Sequence, residues 1–439
     1  MGSLTDLRMP QPFKVLVAGG SYGGLSAALN LYDLCRGLPP RCGPAPADDE
    51  DLPETPQFAV DITIIDERDG FYHLIGSPLA LASEAFSEKC WVKYDEIPGL
   101  QSPHIHVVQG SVKSVDPARK VATYLPYGST SELQEVRYDY FVAASGLRRA
   151  WPVVPQSLRR KQYLFEAGDH IRAATAARHG VVIVGGGAVG IEMAAELKLV
   201  HPHLKVTLVH SRDKLLSSEA LPDEVKDRSL ELLRDAGVDV LMSHRLDRTE
   251  EVKDDSSGSG CLRVHFTNGR SMLADQVSIA VSRSVPTTTY LPSDVLDEQG
   301  YVKVQASLAF PEQSPNSVFH FAVGDLAKWS GIKRCGAAMH MGYYAAYNIH
   351  RHMQLQQQLQ SQTEGRRRTT TDKTDGIPKP LELDEIPPMI GLAVGRKAVA
   401  YWPEGGITSG EEVMKAFFGD DLGFAICWNH LRLGGDKVT

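Results

Sequence analysis

Cysteine is scarce in this chain, and none of it is paired in sequence. Six cysteines are spread over 439 residues, at 35, 42, 90, 261, 335 and 427, and no two form a CxxC. This excludes a disulfide framework and a zinc ribbon, and fits a reducing, cytoplasmic compartment. No cluster of histidines and cysteines has metal-ligand spacing, so no metal is expected. Long apolar runs are missing too: none approaches the ~18 residues of a transmembrane helix. Positive charge is not in excess. The formal net charge is −8, which argues against a nucleic-acid partner, since phosphate neutralisation needs clustered Lys and Arg. Residues 366–368, all arginine, lie in a polar, low-complexity stretch and read as solvated. The start lacks the charged and apolar regions of a signal peptide. It opens Met1-Gly2-Ser3, but Asp6 stands where myristoylation wants Ser or Thr, so a lipid anchor is not expected. Peripheral contact with a membrane surface stays open.

Glycine is what the chain has in pattern. One turn reads KVLVAGGSYGGLSAAL, with Gly19, Ser21 and Gly24 in the G-x-G-x-x-G frame and Gly20 and Gly23 between them. A second reads VVIVGGGAVGIEMAAEL, with Gly185, Gly187 and Gly190 in the same frame. Each follows a short, mostly β-branched run and precedes an apolar helical stripe: Leu25, Ala28, Leu29 and Tyr32 in one, Val189, Met193, Leu197 and Val200 in the other. Glycine would also serve a plain tight turn. Duplication between strand and helix argues for two dinucleotide fingerprints. The first glycine permits the bend, the second lets backbone N–H groups approach a pyrophosphate, and the third lets helix and strand pack closely. Ser21 replaces the second glycine of the first turn with a small side chain able to donate to a phosphate.

The strands that follow discriminate the nucleotides. DITIID ends at Asp66, a carboxylate placed to accept both ribose hydroxyls of FAD or NAD. KVTLVH ends His210-Ser211-Arg212, with no carboxylate to repel a 2′-phosphate and with Arg212 as a donor fork. NADPH is therefore accepted; the alternative is that Arg212 is solvated and NADH and NADPH bind alike. The first unit is longer than the second by the Pro-rich, acidic residues 36–57, read as an inserted surface loop that can be shortened without loss of flavin. A third signal is Phe321-Ala322-Val323-Gly324-Asp325 before GAAMHMGYYAAYNIH. A strand ending in Gly-Asp places the carboxylate on a ribityl chain, and the helix N-terminus favours an anionic reduced flavin.

These pieces predict an α/β protein. An FAD domain spans 1–147 and 300–353. An inserted NAD(P)H domain, also Rossmann-like, spans 148–299 and holds a turn at 253–260. Residues 354–380 read as a disordered linker, and 381–439 as a small α+β domain.

The order of first turn, Ala144-Ser145-Gly146 at a strand end, GGGAVGIE and FAVGD resembles the two-dinucleotide-binding flavoproteins. With VDITIIDERDGFYH, VTLVHSRDKLL and PMIGLAVGRKAVAYWP, the chain is most similar to their apoptosis-inducing-factor-like branch, which includes the ferroptosis suppressor proteins and fungal relatives. The resemblance spans nearly the whole chain outside 36–57 and 354–380. It implies oxidation of NAD(P)H through FAD, with quinones or similar acceptors. It implies FAD contacts at Gly19, Ser21, Gly24, Asp66 and Asp325, and NAD(P)H contacts at Gly185, Gly187, Gly190, Glu192 and His210 to Arg212. Ser145 and Gly146 belong to the motif where Ala-Thr-Gly is commoner. His73 is a further flavin-site candidate.

Disulfide reductases share both turns. Their reactive pair lies after the first acidic strand end or inside the NAD(P) domain, where this chain has only Cys90 and only Cys261, so a dithiol relay is not expected. His340 is either a catalytic histidine near the flavin or a helix-packing residue. Phe417 and Phe418 either line an apolar acceptor site or fill core. Three functions remain: reduction of a quinone-like or aromatic acceptor, tailoring of one dedicated aromatic metabolite, or redox-sensing signalling.

Overall fold

A computed structural model describes residues 11–41, 57–253, 260–281, 283–363 and 379–435. Val15, Leu16, Val17 and Ala18 are all buried, so Phe13–Ala18 lies between covered faces at the centre of a sheet. Val60–Asp66 pairs with it in parallel on one side, Val15 opposite Ile62, and Tyr140–Ala143 on the other. His320–Ala322 adds beyond Tyr140–Ala143, and Ile105–Asp116 beyond Val60–Asp66, also parallel. Val121–Pro126 and Gln134–Arg137 complete seven strands as an antiparallel meander. The carboxyl ends of the parallel strands meet on one edge, which brings Gly19, Asp66, Ser145 and Gly324 together from distant parts of the chain.

The second unit repeats the device on four parallel strands. Their order is Asp239–Leu241, Val206–Val209, Val181–Val184 and Gln276–Ile279. A three-stranded antiparallel sheet, Leu246–Lys253, Gly260–Phe266 and Ser271–Ala274, is attached. The turn expected at 253–260 falls largely outside the described residues. The chain leaves the first unit along Leu147–Arg148 and returns along Val285–Pro286, which pair antiparallel. Val115 then donates to the Tyr290 carbonyl at 2.9 Å, so the returning chain rejoins the first sheet before residue 299. Ile390–Val394, Lys397–Trp402 and Gly406–Gly410 form the C-terminal sheet, followed by the helices Glu411–Phe417 and Phe424–His430.

Two segments differ from the sequence reading. The helix after Asp325 runs from Cys335 to Thr363, 29 residues, well into the stretch read as a disordered linker. Gln is a good helix former, and extending an anchored helix avoids the cost of nucleation. Residues 364–378 of that stretch, and 42–56 of the loop, lie outside the described residues. The start of the loop is not free surface: Arg41 is buried against Asp33, Nε to Oδ2 at 2.8 Å, with both side chains almost wholly inaccessible.

The Tyr22–Cys35 helix packs along the Cys335–Thr363 helix. A Cβ at Gly342 would come within 2.5 Å of the Gly23 carbonyl oxygen, so the backbones touch because a side chain is missing. Ser26 Oγ donates to the Met339 carbonyl at 2.6 Å and locks the register. Both helices thus begin at the same edge of the first sheet.

Candidate functional site: two glycine cradles and a shared cavity

The two turns are built alike, bond for bond. Gly19 and Gly185 sit at φ +112° and +123°, where only glycine is relaxed. Gly19 N–H donates to the Ile65 carbonyl at 2.8 Å, and Gly185 N–H to Val209 at 2.9 Å. A Cβ at Gly24 would overlap the Gly19 carbonyl, and one at Gly190 the Gly185 carbonyl. These turns therefore close against their own helices, leaving helix N-termini bare for an anion.

The strand ends differ where the sequence differs. Asp66 Oδ2 accepts the Gly20 N–H at 2.7 Å, and Oδ1 accepts the Arg68 N–H at 2.8 Å. Tyr94 holds the same loop by donating its hydroxyl to the Gly20 carbonyl at 2.8 Å. In the second unit Gly186 N–H donates to His210 Nδ1 at 3.1 Å. With Nδ1 accepting, the ring proton is on Nε2 and points to Ser217 Oγ, 3.1 Å away. Burial lowers the His210 pKa, with neighbouring Arg212 adding to the effect. Ser211 and Arg212 are exposed beside it, and Arg212 Nη1 donates to the Ser217 carbonyl at 3.1 Å.

A cavity of about 710 Å³ opens at the first turn. Ser21, Gly23, Asp66, Ser145, Gly146, Gly324 and Asp325 line it, and so does Glu192 from the second unit. Gly185, Gly187, Gly190 and His210 to Arg212 are not in its wall; they form their own group, with Ala188 and Val189 reaching the cavity from the adjoining helix. Ser21 caps the Tyr22–Cys35 helix without using its hydroxyl as a cap. Ser145 Oγ is spent on the crossing between units: it donates to the Thr287 carbonyl at 2.6 Å and meets Tyr290 Oη at 2.9 Å. Burial raises the Asp325 pKa, while Arg149 and Lys333 pull it down. Glu192 is pushed up to about 8 by burial; the Ala393 N–H, 3.3 Å from Oε1, opposes this, and Glu196 adds to it.

Two histidines lie off this wall. His73 is fully buried behind it; its Nε2 donates to the Leu422 carbonyl at 3.0 Å, and Nδ1 accepts from the Tyr22 hydroxyl at 3.0 Å. It ties the first helix to the C-terminal domain. His340 follows Ala338 and Met339, which line the cavity, but is itself outside the wall and packs its ring on Tyr344, centroids 4.5 Å apart. Phe417 and Phe418 do line the cavity, with Met389, Ile390, Tyr401, Trp402 and Ile426. Sequence reasoning missed the cationic Arg149, Lys333 and Arg334, and also Cys335 and Cys427, all on the same wall. No motif marks these side chains; the folding of the C-terminal domain onto the long helix assembles them.

A cradle for one dinucleotide, a second on an inserted domain and a cavity between them define a two-dinucleotide-binding flavoprotein oxidoreductase. The chain belongs to the pyridine nucleotide-disulphide oxidoreductase family, whose match runs over residues 13–342. It is 49% identical over 437 residues to oxidoreductase OXR1 of Ajellomyces capsulatus, covering 99% of this chain and 90% of that one. It is 25% identical to ferroptosis suppressor protein 1 of Taeniopygia guttata, over 79% of this chain and 81% of that one. Among solved structures, NDH2 of Plasmodium falciparum in complex with NADH shares the fold at TM-score 0.61 and 12% identity, over 97% of both chains. The NAD-dependent persulfide reductase of A. fulgidus matches at TM-score 0.60 and 19% identity; this chain spans only 65% of that longer protein. Among the described residues no helix is long and apolar enough to cross a membrane.

Proposed function

We propose that this protein passes electrons from NAD(P)H through FAD to a quinone-like, apolar aromatic acceptor. One observation carries the reading: a single cavity joins the first glycine cradle, the start of the second unit's helix and an aromatic wall from the C-terminal domain. Its volume of about 710 Å³ is of the size that holds a cofactor ring with a small partner.

The residues present fit FAD. Gly20, Ser21 and the bare first turn of Tyr22–Cys35 would take the pyrophosphate, Asp66 the adenosine ribose, and Asp325 the ribityl chain. When bound, the flavin accepts a hydride from nicotinamide and passes two electrons on. The protein positions and dries that exchange. Glu192, held near neutrality by burial, offers a carboxyl at the face where nicotinamide would enter. Met389, Trp402, Phe417 and Phe418 exclude water and present apolar area to a planar acceptor. His210 and Arg212 would surround the adenosine of NADPH.

An anaerobic visible spectrum of the purified protein, titrated with NADH, then NADPH, then a simple quinone, tests this. Bleaching by nucleotide and recovery of colour on adding quinone is the expected result. Bound flavin that neither nucleotide reduces overturns it, and moves the search to a dedicated metabolite oxidase or a signalling role.

A further inference from the structure

Tyr72 stands on the cavity wall and is the first of three buried rings that touch one another. The strand Gly70–Tyr72 pairs antiparallel with Trp91–Lys93, which sets Tyr72 directly opposite Trp91. Their ring centroids are 5.5 Å apart. Tyr163, on the helix Arg160–Thr175, closes the group. Its ring lies 5.1 Å from Tyr72 and is stacked on Trp91 at 5.2 Å, with 27° between the planes. Each spacing is that of aromatic rings in contact. The group therefore leads from the cavity into the protein interior, away from water.

Trp91 is held in a particular way. The bare backbone of Gly70 makes room for its indole: a Cβ there would come within 2.7 Å of Nε1. The Nε1–H donates to the half-buried Asp69, 2.9 Å from Oδ1, and the same oxygen accepts the Arg160 N–H at 3.0 Å. The Arg68 guanidinium carbon lies 6.0 Å from the Trp91 ring centroid. A carbonyl oxygen would satisfy a buried indole N–H; here the partner is a base.

These features suit oxidation by one electron. An indole that has lost an electron is a strong acid at its N–H, and a carboxylate in hydrogen-bond contact takes that proton. The nearby guanidinium charge disfavours the cation that would otherwise remain. A phenol that keeps its proton is harder to oxidise than an indole. Burial holds the Tyr72 hydroxyl protonated by pushing its pKa up. The electron vacancy thus passes through Tyr72 and settles on Trp91.

We propose that Tyr72 and Trp91 form a relay that quenches light-excited flavin in the cavity, with Asp69 as its proton acceptor. The relay rests on the flavin reading given above. Tyr72 gives one electron to the excited ring and is refilled by one electron from Trp91. Trp91 then passes its Nε1 proton to Asp69 and stands as a neutral radical. The return is the reverse: one electron comes back to Trp91 from the flavin, and the proton comes back from Asp69. Nothing is consumed, and the light energy leaves as heat before it reaches dissolved oxygen. Tyr163, stacked on Trp91, spreads the transient charge over two rings.

The purified flavoprotein, without nucleotide, is excited by a blue laser flash, and its transient absorption is followed. A neutral tryptophan radical that forms with the loss of flavin colour and decays with its return is the expected result. In Trp91→Phe that radical is absent. In Asp69→Asn, whose amide oxygen still accepts both N–H groups, the radical stays a cation. In Tyr72→Phe, which keeps the ring but not its ease of oxidation, the radical forms several-fold more slowly. Trp402 also lines the cavity, so Trp402→Phe is the control and keeps the radical. A radical that survives in Trp91→Phe or vanishes in Trp402→Phe overturns the proposal, as does an undiminished neutral radical in Asp69→Asn. A colourless protein sinks the flavin reading and the relay with it; a yellow protein that forms no tryptophan radical overturns the relay alone.

Discussion

Gly186 donates its N–H to His210 Nδ1 at 3.1 Å, in the place where Gly20 donates to the Asp66 carboxylate at 2.7 Å. One backbone bond that fastens the glycine turn to the next strand is thus made by an anion in one unit and by a neutral ring in the other. The substitution keeps the turn and removes the charge. A carboxylate there would repel the 2′-phosphate of NADPH bound as proposed; the neutral imidazole would not, and the exposed Arg212 adds a donor fork.

Arg212→Ala should therefore raise the Michaelis constant for NADPH about tenfold, ~1.4 kcal/mol, as loss of a charge-assisted hydrogen bond does. The constant for NADH should stay within twofold. His210→Asp should keep the turn and reverse the preference toward NADH. Steady-state kinetics with both nucleotides checks this; equal changes for the two would show that Arg212 is merely solvated.

Asp66 holds the Gly20 and Arg68 N–H groups and, in the proposed FAD site, would also receive the ribose. Asp66→Ala leaves a buried N–H unpaired in the cradle at a cost of about 1–3 kcal/mol, in addition to the lost ribose contact. The variant should purify with little or no flavin colour, while Asp66→Asn, which can still accept one N–H, keeps a part of it. Full flavin content in Asp66→Ala would remove this residue from the site.

Much of this was readable from the chain, and for physical reasons. The glycine turns are local: strand, bend and helix lie within one short stretch, and their duplication made the two-unit architecture and both nucleotide cradles visible. Asp66 and Asp325 were candidates because each follows an apolar run; Asp66 ends the strand Val60–Asp66, and Asp325 stands three residues past His320–Ala322, both on the cavity wall. What was hidden depends on distant segments meeting. His73 looks like a site residue in sequence, yet its two hydrogen bonds, to Tyr22 and Leu422, make it a brace between domains. His340 directly follows the lining residue Met339 but lies outside the wall, its ring packed on Tyr344. Cys335 and Cys427 carry no spacing signal, and only the fold brings them to one cavity wall.

The loop at 36–57 shows the same limit. Its Pro-rich, acidic composition reads as dispensable surface, but its first residues are tied down. Besides Asp33, Arg41 reaches the Leu431 and Arg432 carbonyls at 3.3 and 3.4 Å, and its backbone N–H donates to Asn30 Oδ1 at 2.7 Å. Deletion of 42–56 with a short Gly-Ser bridge should keep flavin and shift the melting temperature little. Arg41→Ala, which leaves the Asp33 charge buried and uncompensated, should cost about 3–5 kcal/mol. Thermal melts of the two variants, side by side, decide it; equal loss in both would mean the whole loop is structural.

Stability should fall on both sides of a weakly acidic pH, from two kinds of buried group. His73 and His320 are fully buried, and burial lowers each pKa to about 4. Below pH 6.5 the unfolded chain binds protons that the folded chain refuses, so their contribution, about 3 kcal/mol each, is lost as pH falls from 6.5 toward 4. Glu196 works in the opposite direction. Burial raises its pKa to about 8, and its Oε1 has no hydrogen-bond partner. Its stabilising contribution is full below pH 4.5 and is lost as pH rises toward 8, because the unfolded chain then releases a proton that the folded one retains. Glu196→Gln removes that alkaline loss. It should stabilise the protein by up to about 3 kcal/mol at pH 8 and change little at pH 5, making the alkaline limb shallower while Glu192, also raised to about 8, keeps the rest of it. Melting temperatures of wild type and Glu196→Gln from pH 4 to 8 read this directly; parallel profiles for the two proteins would show that Glu196 is solvated in the folded state.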